Sequence, residues 1–565
     1  MNRKISFGIM CDSTKFPVWQ ANAILEVLKL NNTSCDLLII NEKNNHFSRQ
    51  KKIREKLLNL NNFFWNIYYS FLKKKFKQTK LIDLKETLSL IDEINITSIK
   101  KGKFSEYFED KDISFIKDKN LDFILRFSFG IIRGEILKSA KFGVWSFHHG
   151  NEEKYRGGPP GFWEIYLKDN ITGFILQKLT DRLDGGVILK KGFVKTQLSY
   201  VDNRDQIYKE SSRFVSSVCV DILNDKTDKF EREPSKTNSP IYLAPNNIQV
   251  LNFLFKTSVS KFKSLKRFLY VDYWNIGVVN LNISSFLKEE NTHTVHWFDL
   301  KSKKRFVADP FGIKKDKGIS LFYESYDYKN KKSKGVINKV DYIDGVFYDN
   351  EIDILNFKTH LSYPQVIEFD KKHYLLPENF ESNDISIYEL SNDLENTVKK
   401  FTLIEGVSGV DNTILFYKGI YWLFTGKYDD SPHHNLHLFY SNNLLEGWEE
   451  HPKNPVKTDV RSSRSAGTPF EHKGVLYRPS MDYSEKLEGK VSINEIELLN
   501  KQEYIEKVVK TVNPFKDSKY SDKIHTLSSV GDYTLIDGAK ELLIFSDWRI
   551  FKYRFFNLLN KIIKK

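Results

Sequence analysis

Two domains of different class are predicted: a Rossmann-like α/β half with a mostly parallel sheet, then an all-β half built as a five-bladed propeller. Three observations predict this. The chain opens as strand, helix, strand, the pattern of a parallel sheet. Its composition turns polar over 224–240, with two prolines among Asp, Lys and Glu. Beyond that point short aromatic strand pairs recur at roughly fifty-residue intervals, the size of a propeller blade. The 565 residues therefore divide into an α/β domain (1–225), a linker (226–240), the propeller (241–547) and a basic amphipathic tail (548–565).

In the first half, strands are expected at 5–11 and 35–41 around a helix at 16–30. The first strand–helix turn, Cys11 to Lys15, lacks G-x-G-x-x-G, which argues against a dinucleotide or P-loop site. Residues 47–79 read as a basic, aromatic helical stretch packed on the sheet, with a membrane-facing surface as the alternative. The apolar run 121–127 runs into Ser128-Phe129-Gly130 and a helix at 134–140. A strand–loop–helix of this kind brings backbone amides to a ligand at the sheet's carboxyl edge. A strand at 142–147 then delivers His148. A helix at 162–168 and a strand at 172–179 lead towards Asp184, and a helix at 204–223 closes the half.

Composition narrows the class. Hydrophobic residues make up 40% and aromatics 14%, with 43 Phe and 28 Tyr, enough for sizeable cores. The net charge of +14 favours anionic partners such as sugar nucleotides, RNA or a membrane surface without choosing among them. The Lys, Asn, Ile and Phe abundance of an AT-rich genome explains it equally well. Cys11, Cys35 and Cys219 form no C-x-x-C and lie in apolar segments, as expected of reduced thiols in the cytoplasm. The first apolar run stops at Asp12, too short for a signal peptide, and no run is long enough to span a bilayer.

The chemistry concentrates at 143–187. His148 stands at a strand end, Tyr155 to Pro160 is a Gly/Pro-rich loop, and Asp184 lies 36 residues beyond the histidine. A histidine and a carboxylate joined by the fold build a general base with an orienting partner. At these residues the chain resembles the formyltransferases, whose pattern is Asn-x-His, then Tyr/Trp-Arg-Gly, then Leu-Asp-x-Gly. His148, Tyr155-Arg156-Gly157 and Leu183-Asp184-Gly185-Gly186 match it in order. The resemblance covers roughly two-fifths of the chain. It implies 10-formyltetrahydrofolate as co-substrate, with the pterin held by the loop Phe127, Ser128, Phe129 and Gly130. It also implies His148 as base or oxyanion contact, Asp184 as its partner, and Gly157 near substrate; Arg156 either braces the loop or contacts an anionic substrate. Ser146 stands where the family has its oxyanion-binding asparagine. Losing one such donor costs about 2.7–4 kcal/mol of barrier, so Ser146 with a water, or His149, is left to fill the role.

The repeating half carries Ala308-Asp309-Pro310-Phe311, Ser362-Tyr363-Pro364, Val410-Asp411-Asn412, Gly467-Thr468-Pro469 and His525-Thr526, each followed by a strand. It resembles the five-bladed propeller of glycoside hydrolase family 43-like proteins. It is closer to the propeller of plant glucosamine inositolphosphorylceramide transferases, through 308–311, 362–364, Leu376-Pro377-Glu378, 466–470 and 477–480. Asp309, Glu378, Asp411, Arg464, Arg478 and His525 are expected to line a central channel and contact carbohydrate. Paired carboxylates there would suggest glycosidase chemistry, but the resembled glycosidase-like propellers carry three acids at set positions, of which only Asp309 and Asp411 can be placed. His433, His434 and His437 look like a metal cluster but lie beside an apolar strand, so turn and strand positions are the expectation.

The expected function is formyl transfer to an amino group of a nucleotide- or lipid-linked amino sugar. A methionyl-tRNA formyltransferase is the alternative enzyme, although the second half is unlike that enzyme's small basic barrel and nucleic acid is an unlikely partner. The alternative of another class is a carbohydrate-binding protein on an inactive formyltransferase. No metal is required. The tail 548–565, with six basic residues and no acid, is expected either to lie on an anionic membrane or to pack on the protein.

Overall fold

A computed structural model describes residues 3–42, 60–102, 105–182, 185–266, 269–288, 293–302, 305–328, 334–485 and 489–543. Asp184, the first part of the stretch expected as a basic helix (47–59 of 47–79) and the tail 548–565 lie outside the described residues. The chain divides into two units between Lys261 and Phe262.

The first unit is built on a seven-stranded sheet. Strands β1 (Ile5–Cys11), β2 (Thr33–Asn41), β3 (Asp92–Ile96), β4 (Phe123–Arg126), β5 (Val144–His148), β6 (Ile171–Lys178) and β7 (Val187–Lys195) lie in the order β7-β6-β5-β4-β1-β2-β3. The five strands from β5 to β3 are parallel, while β6 and β7 run antiparallel. Near-continuous apolar runs in β1 and β4 bury both faces, as inner parallel strands must. Stacked rings tie the central strands together: Phe7 on Phe123 at 5.2 Å and Phe123 on Trp145 at 3.9 Å.

Helix boundaries differ from expectation for local reasons. Helix α1 (Val18–Leu28) starts late because Lys15–Pro17 pairs as a short strand with Leu81–Asp83. Helix α2 (Phe63–Leu72) buries one side chain, Trp65, in an aromatic cluster that includes no residue of the seven-stranded sheet. Trp65 meets Phe162 and Tyr200, beside helices α3 (Trp163–Leu167) and α4 (Tyr200–Ser211). The single helix expected at 204–223 breaks into α4 and α5 (Phe214–Leu223). At the break, the hydroxyls of Ser211 and Ser212 donate to the carbonyls of Tyr208 and Lys209, competing with the helical ladder. The expected helix at 134–140 is a single 3-10 turn, Glu135–Lys138.

The stretch 226–240 packs on this unit, whereas its polarity predicts a free linker. Phe230 is buried and stacks on Phe142 at 4.5 Å and on Trp145 at 5.6 Å. Ile241–Tyr242 then pairs in parallel with Arg156–Gly157. Helix α6 (Asn247–Lys266) adds Val250 and Phe253 to the aromatic cluster around Phe162. The all-β half therefore begins later than residue 241. All three cysteines are buried and free. Among the described residues no helix is long and apolar enough to cross a membrane.

The second unit holds five antiparallel sheets of four or five strands each. The second to fifth follow one another along the chain, starting at Arg305–Lys315, Ser362–Phe369, Gly409–Tyr417 and Phe470–His472. The first sheet joins the unit's two ends, with Tyr270–Val279 paired along its length to Tyr533–Leu543. Three leading strands share one irregularity. Asp309-Pro310, Tyr363-Pro364 and Asp411-Asn412 each bulge out of their ladders. The first residue of each pair is left-handed, with φ of +54°, +46° and +49°. A bulge of this kind re-aims one side chain and bends the strand.

Arg478 does not reach the acids of the other sheets. It is fully buried in the fifth sheet, where Nη2 and Nε donate to Glu506 at 2.6 and 3.0 Å and Nη2 donates to the Ser462 carbonyl at 2.7 Å. Burial alone would raise the Glu506 pKa, but Arg478 and Lys457 hold it down at about 2. Glu506→Gln leaves a buried cation without its anion, and we expect a loss of about 3–5 kcal/mol, measured as a lower denaturant midpoint. The depressed carboxylate contributes fully above its ordinary 4.5, and the contribution is lost as pH falls towards about 2. The variant should therefore lose less stability than the wild type across that acid range.

Candidate active site

The carboxyl ends of β4 and β5 open onto a cavity of about 330 Å3, where parallel sheets place their ligands. Arg126, Phe129, Ser146, His148, Gln177 and Arg182 are among its lining residues. Because Leu125 lies opposite Trp145 in the parallel register, the next residues, Arg126 and Ser146, stand side by side.

His148 ends β5. Its Nε2 lies 2.8 Å from the Tyr155 carbonyl oxygen, which can only accept. Nε2 therefore carries the proton, and in the neutral ring Nδ1 is the basic nitrogen. Ser146 is 2% exposed, and its Oγ accepts from Arg126 Nη2 at 2.8 Å. Arg126 Nη1 donates to the carbonyls of Phe129 and Gly130 at 3.2 and 2.7 Å. Burial lowers the Arg126 pKa, and the Glu106 carboxylate opposes that shift. Glu106 accepts from the Gly130 amide at 3.1 Å, so the loop is held from both sides. Phe129 is left-handed, with φ +64°, a conformation that costs a non-glycine residue about 1–3 kcal/mol.

The other expected site residues separate. Phe127 packs edge-on against Trp19 at 5.6 Å, and Ser128 is buried, so only Phe129 and Gly130 of that loop line the cavity. His149 cannot substitute as an oxyanion donor. Its Nε2 meets Ser211 Oγ at 3.0 Å and its ring packs on Tyr208 at 4.3 Å. Burial, aided by His148 and Arg204, pushes its pKa well below 6.5. Arg156 Nη1 donates to the Ser239 carbonyl at 3.3 Å, away from the cavity. Gly157, with φ +79°, lies where a Cβ would sit 2.2 Å from the Tyr242 oxygen, so this pair braces the chain. Gln177 Oε1 is buried without a partner among the described residues and faces Gly186. An orphan acceptor beside Phe129, Ile131 and Leu179 fits a flat heterocycle rich in N–H donors, as a pterin is.

The second unit gathers a different constellation. Asp309 and Glu324 come from the second sheet, Glu378 from the third, Asp411 from the fourth, and Asp537 from the first. Arg464 pairs with Asp411, and Glu378 accepts from the Asp411 amide at 2.8 Å. His525 stacks on Trp274 at 3.9 Å, and its Nδ1 lies 2.5 Å from Asp537. Thr526 Oγ1 donates to Asp309 at 2.9 Å. Burial pushes Asp309 up to about 6 and Glu324 and Glu378 well above 4.5, and the neighbouring acids add to each shift. Asp309, His525 and Asp537 offer ligand atoms within 4.8 Å of one another. A metal would have to displace the His525 proton that now binds Asp537. The three histidines of 433–437 do not converge: His437 meets Asp430 at 2.9 Å, while His433 lies 3.2 Å from Arg464.

Residue reading missed Arg126, Glu324 and Asp537. Arg126 shows one signal, a charge at the carboxyl end of an apolar parallel strand. Glu324 and Asp537 are acids within apolar strands, a pattern that equally marks a polar strand face.

The family sequence model for the N-terminal part of glucosamine inositolphosphorylceramide transferase 1 matches residues 294–525, all in the second unit. Glucosamine inositolphosphorylceramide transferase 1 of Oryza sativa subsp. japonica is 29% identical over 251 residues, 42% of this chain and 33% of its own length. The chain thus spans about a third of that relative. Methionyl-tRNA formyltransferase of Prochlorococcus marinus is 25% identical over 262 residues, 45% of this chain and 68% of its own. Among solved structures, the sugar 3N-formyl transferase WlaRD gives a TM-score of 0.26 at 12% identity, covering 42% of this chain and 70% of its own. The relatives are transferases, and the chain is similar to both kinds.

One electrostatic test follows from the second constellation. Burial alone would lower the His525 pKa, but Asp537 and Asp309 raise it to about 9. Its contribution to stability is complete below 6.5 and is lost as pH rises through about 9. We expect Asp537→Asn to lower the thermal midpoint at pH 7 and to flatten the decline between pH 7 and 9.5. An unchanged slope would show that the pair does not govern it.

Proposed function

We propose that the first unit transfers the formyl group of 10-formyltetrahydrofolate to the amine of an amino sugar. One observation carries this reading. His148, its Nε2 committed to the Tyr155 carbonyl, lines a cavity at the sheet's carboxyl edge together with Arg126 and the Ser146 hydroxyl that Arg126 donates to. An attacking amine must shed a proton as it becomes an amide, and a neutral imidazole is suited to take it near pH 7. Asp184 is proposed to orient that imidazole. The cavity's apolar wall and orphaned Gln177 acceptor suit the pterin.

The acceptor class follows from the second unit. Residues 294–525 match a family named for glucosamine, and glucosamine carries the primary amine that formyl transfer requires. We read the five sheets as five propeller blades, with their leading-strand bulges aiming Asp309 and Asp411 at the axis, and assign this unit to carbohydrate binding. The match to 294–525 also favours a second reading, glycosyl transfer, in which a nucleotide-activated glucosamine is consumed without folate.

The test is incubation with 10-formyltetrahydrofolate and a panel of nucleotide- and lipid-linked amino sugars, read by mass spectrometry. A folate-dependent gain of one formyl group is expected. His148→Ala should lower the rate by about 10²–10⁴-fold, and Asp184→Ala should also abolish transfer, each with the thermal midpoint retained. Folate-independent loss of a nucleotide-glucosamine would favour glycosyl transfer. Wild-type-like turnover in His148→Ala would remove this cavity from the mechanism.

A further inference from the structure

We propose that Arg126 is a catalytic residue of the transfer, its Nη2 binding the formyl oxygen as negative charge develops there. The proposal rests on the formyl-transfer reading above.

The geometry isolates this group. Ser146 cannot by itself replace the family's asparagine. Its Oγ already accepts from Nη2 at 2.8 Å, and the hydroxyl's single proton has only the weak, 3.5 Å contact with the Phe147 carbonyl, so serine supplies at most one donor on a short arm. His149 is sealed behind Tyr208 and Ser211. Arg126 lines the same cavity as His148. Its Nη1 is anchored on two loop carbonyls, and Nη2 makes one hydrogen bond, to Ser146. Nε is buried without a partner among the described residues, and Nη2 makes no hydrogen bond there besides that to Ser146. No carboxylate among them forms an ion pair with Arg126, and Glu106 is turned to Ser98 and Gly130. A buried cation held by neutral acceptors is arranged to receive an anion. A hydrogen bond from a guanidinium to a developing oxyanion is charge-assisted on both sides, which favours Arg126 as the donor.

The step balances. The amine nitrogen forms a bond to the formyl carbon, and the carbonyl π pair moves to the oxygen held by Arg126. His148 Nδ1 takes the amine proton. The oxygen pair then returns to carbon, the bond from carbon to the folate N10 breaks, and N10 receives the proton from His148. The products are the formamide and tetrahydrofolate.

A merely structural Arg126 would brace the strained Phe129 loop, so the test separates kcat from binding. Arg126→Met and Arg126→Lys are compared with wild type for kcat, for the KM towards the formyl donor, and for the Kd of the non-reacting 5-formyl isomer by calorimetry. We expect kcat of Arg126→Met to fall about 10²–10³-fold, with KM and Kd within threefold. Adding Ser146→Asn to Arg126→Met should recover at least tenfold, because an amide then stands where the family has one. Wild-type kcat in Arg126→Met, or a kcat loss matched by an equal loss of 5-formyl binding, overturns the proposal but leaves the transfer reading intact. If Arg126→Met does not fold, Arg126→Lys decides: a loss of tenfold or more in kcat with unchanged Kd supports the proposal, and wild-type kcat overturns it. A wild-type protein inactive on the whole acceptor panel sinks the transfer reading and this proposal together.

Discussion

The register of the three central strands is the constraint on which the first unit's chemistry depends. Phe7, Phe123 and Trp145 stack across β1, β4 and β5, and Phe230 caps the stack from outside the sheet. Ring stacking adds roughly 0.5–1.5 kcal/mol per pair beyond burial. Its larger effect is geometric. With Leu125 opposite Trp145, Arg126 and Ser146 become neighbours, and His148 stands two residues beyond the serine at the edge. A slip of one residue would turn Arg126 to the opposite face.

A different constraint governs the second unit. Five carboxylates, Asp309, Glu324, Glu378, Asp411 and Asp537, are buried together; Arg464 pairs with Asp411, His525 with Asp537, and His360 lies 3.4 Å from Glu324. Full ionisation of such a set is unfavourable, and the raised values of Asp309, Glu324 and Glu378 express this. Asp309 and Asp411 reach the cluster from left-handed positions in leading-strand bulges. Strained backbone and buried charge both cost stability, and a purely structural unit could replace them with apolar side chains. Their coincidence across separate sheets supports the carbohydrate-binding role proposed for this unit.

Much of this was legible in the sequence. The apolar runs of β1, β4 and β5 marked inner parallel strands, and His148 fell at a strand end as its pattern predicts. The repeated Asp-Pro, Tyr-Pro and Asp-Asn pairs marked the recurring leading strands, but the bulges they form there came only with the structure. What failed depended on single residues against a misleading background. Phe230 is one aromatic in a polar stretch, yet its ring decides where that stretch lies. Arg478 looked like its neighbours in the repeat, but Glu506, 28 residues on, claims it. The pairing of 270–279 with 533–543 joins segments too distant for any local pattern to reveal.

The serine at 146 follows from the same geometry. An asparagine amide reaches further than a hydroxyl, and beside β4 that reach would meet the guanidinium of Arg126. With serine, Oγ becomes an acceptor that holds Nη2 in place, and the donor role is the one proposed for the arginine. The exchange has a structural cost, since a buried guanidinium needs carbonyls to hold it. Phe129 and Gly130 supply them, and Phe129 does so from a left-handed conformation. The serine, the arginine and the strained phenylalanine are thus one arrangement, and a change at any of the three is felt by the other two.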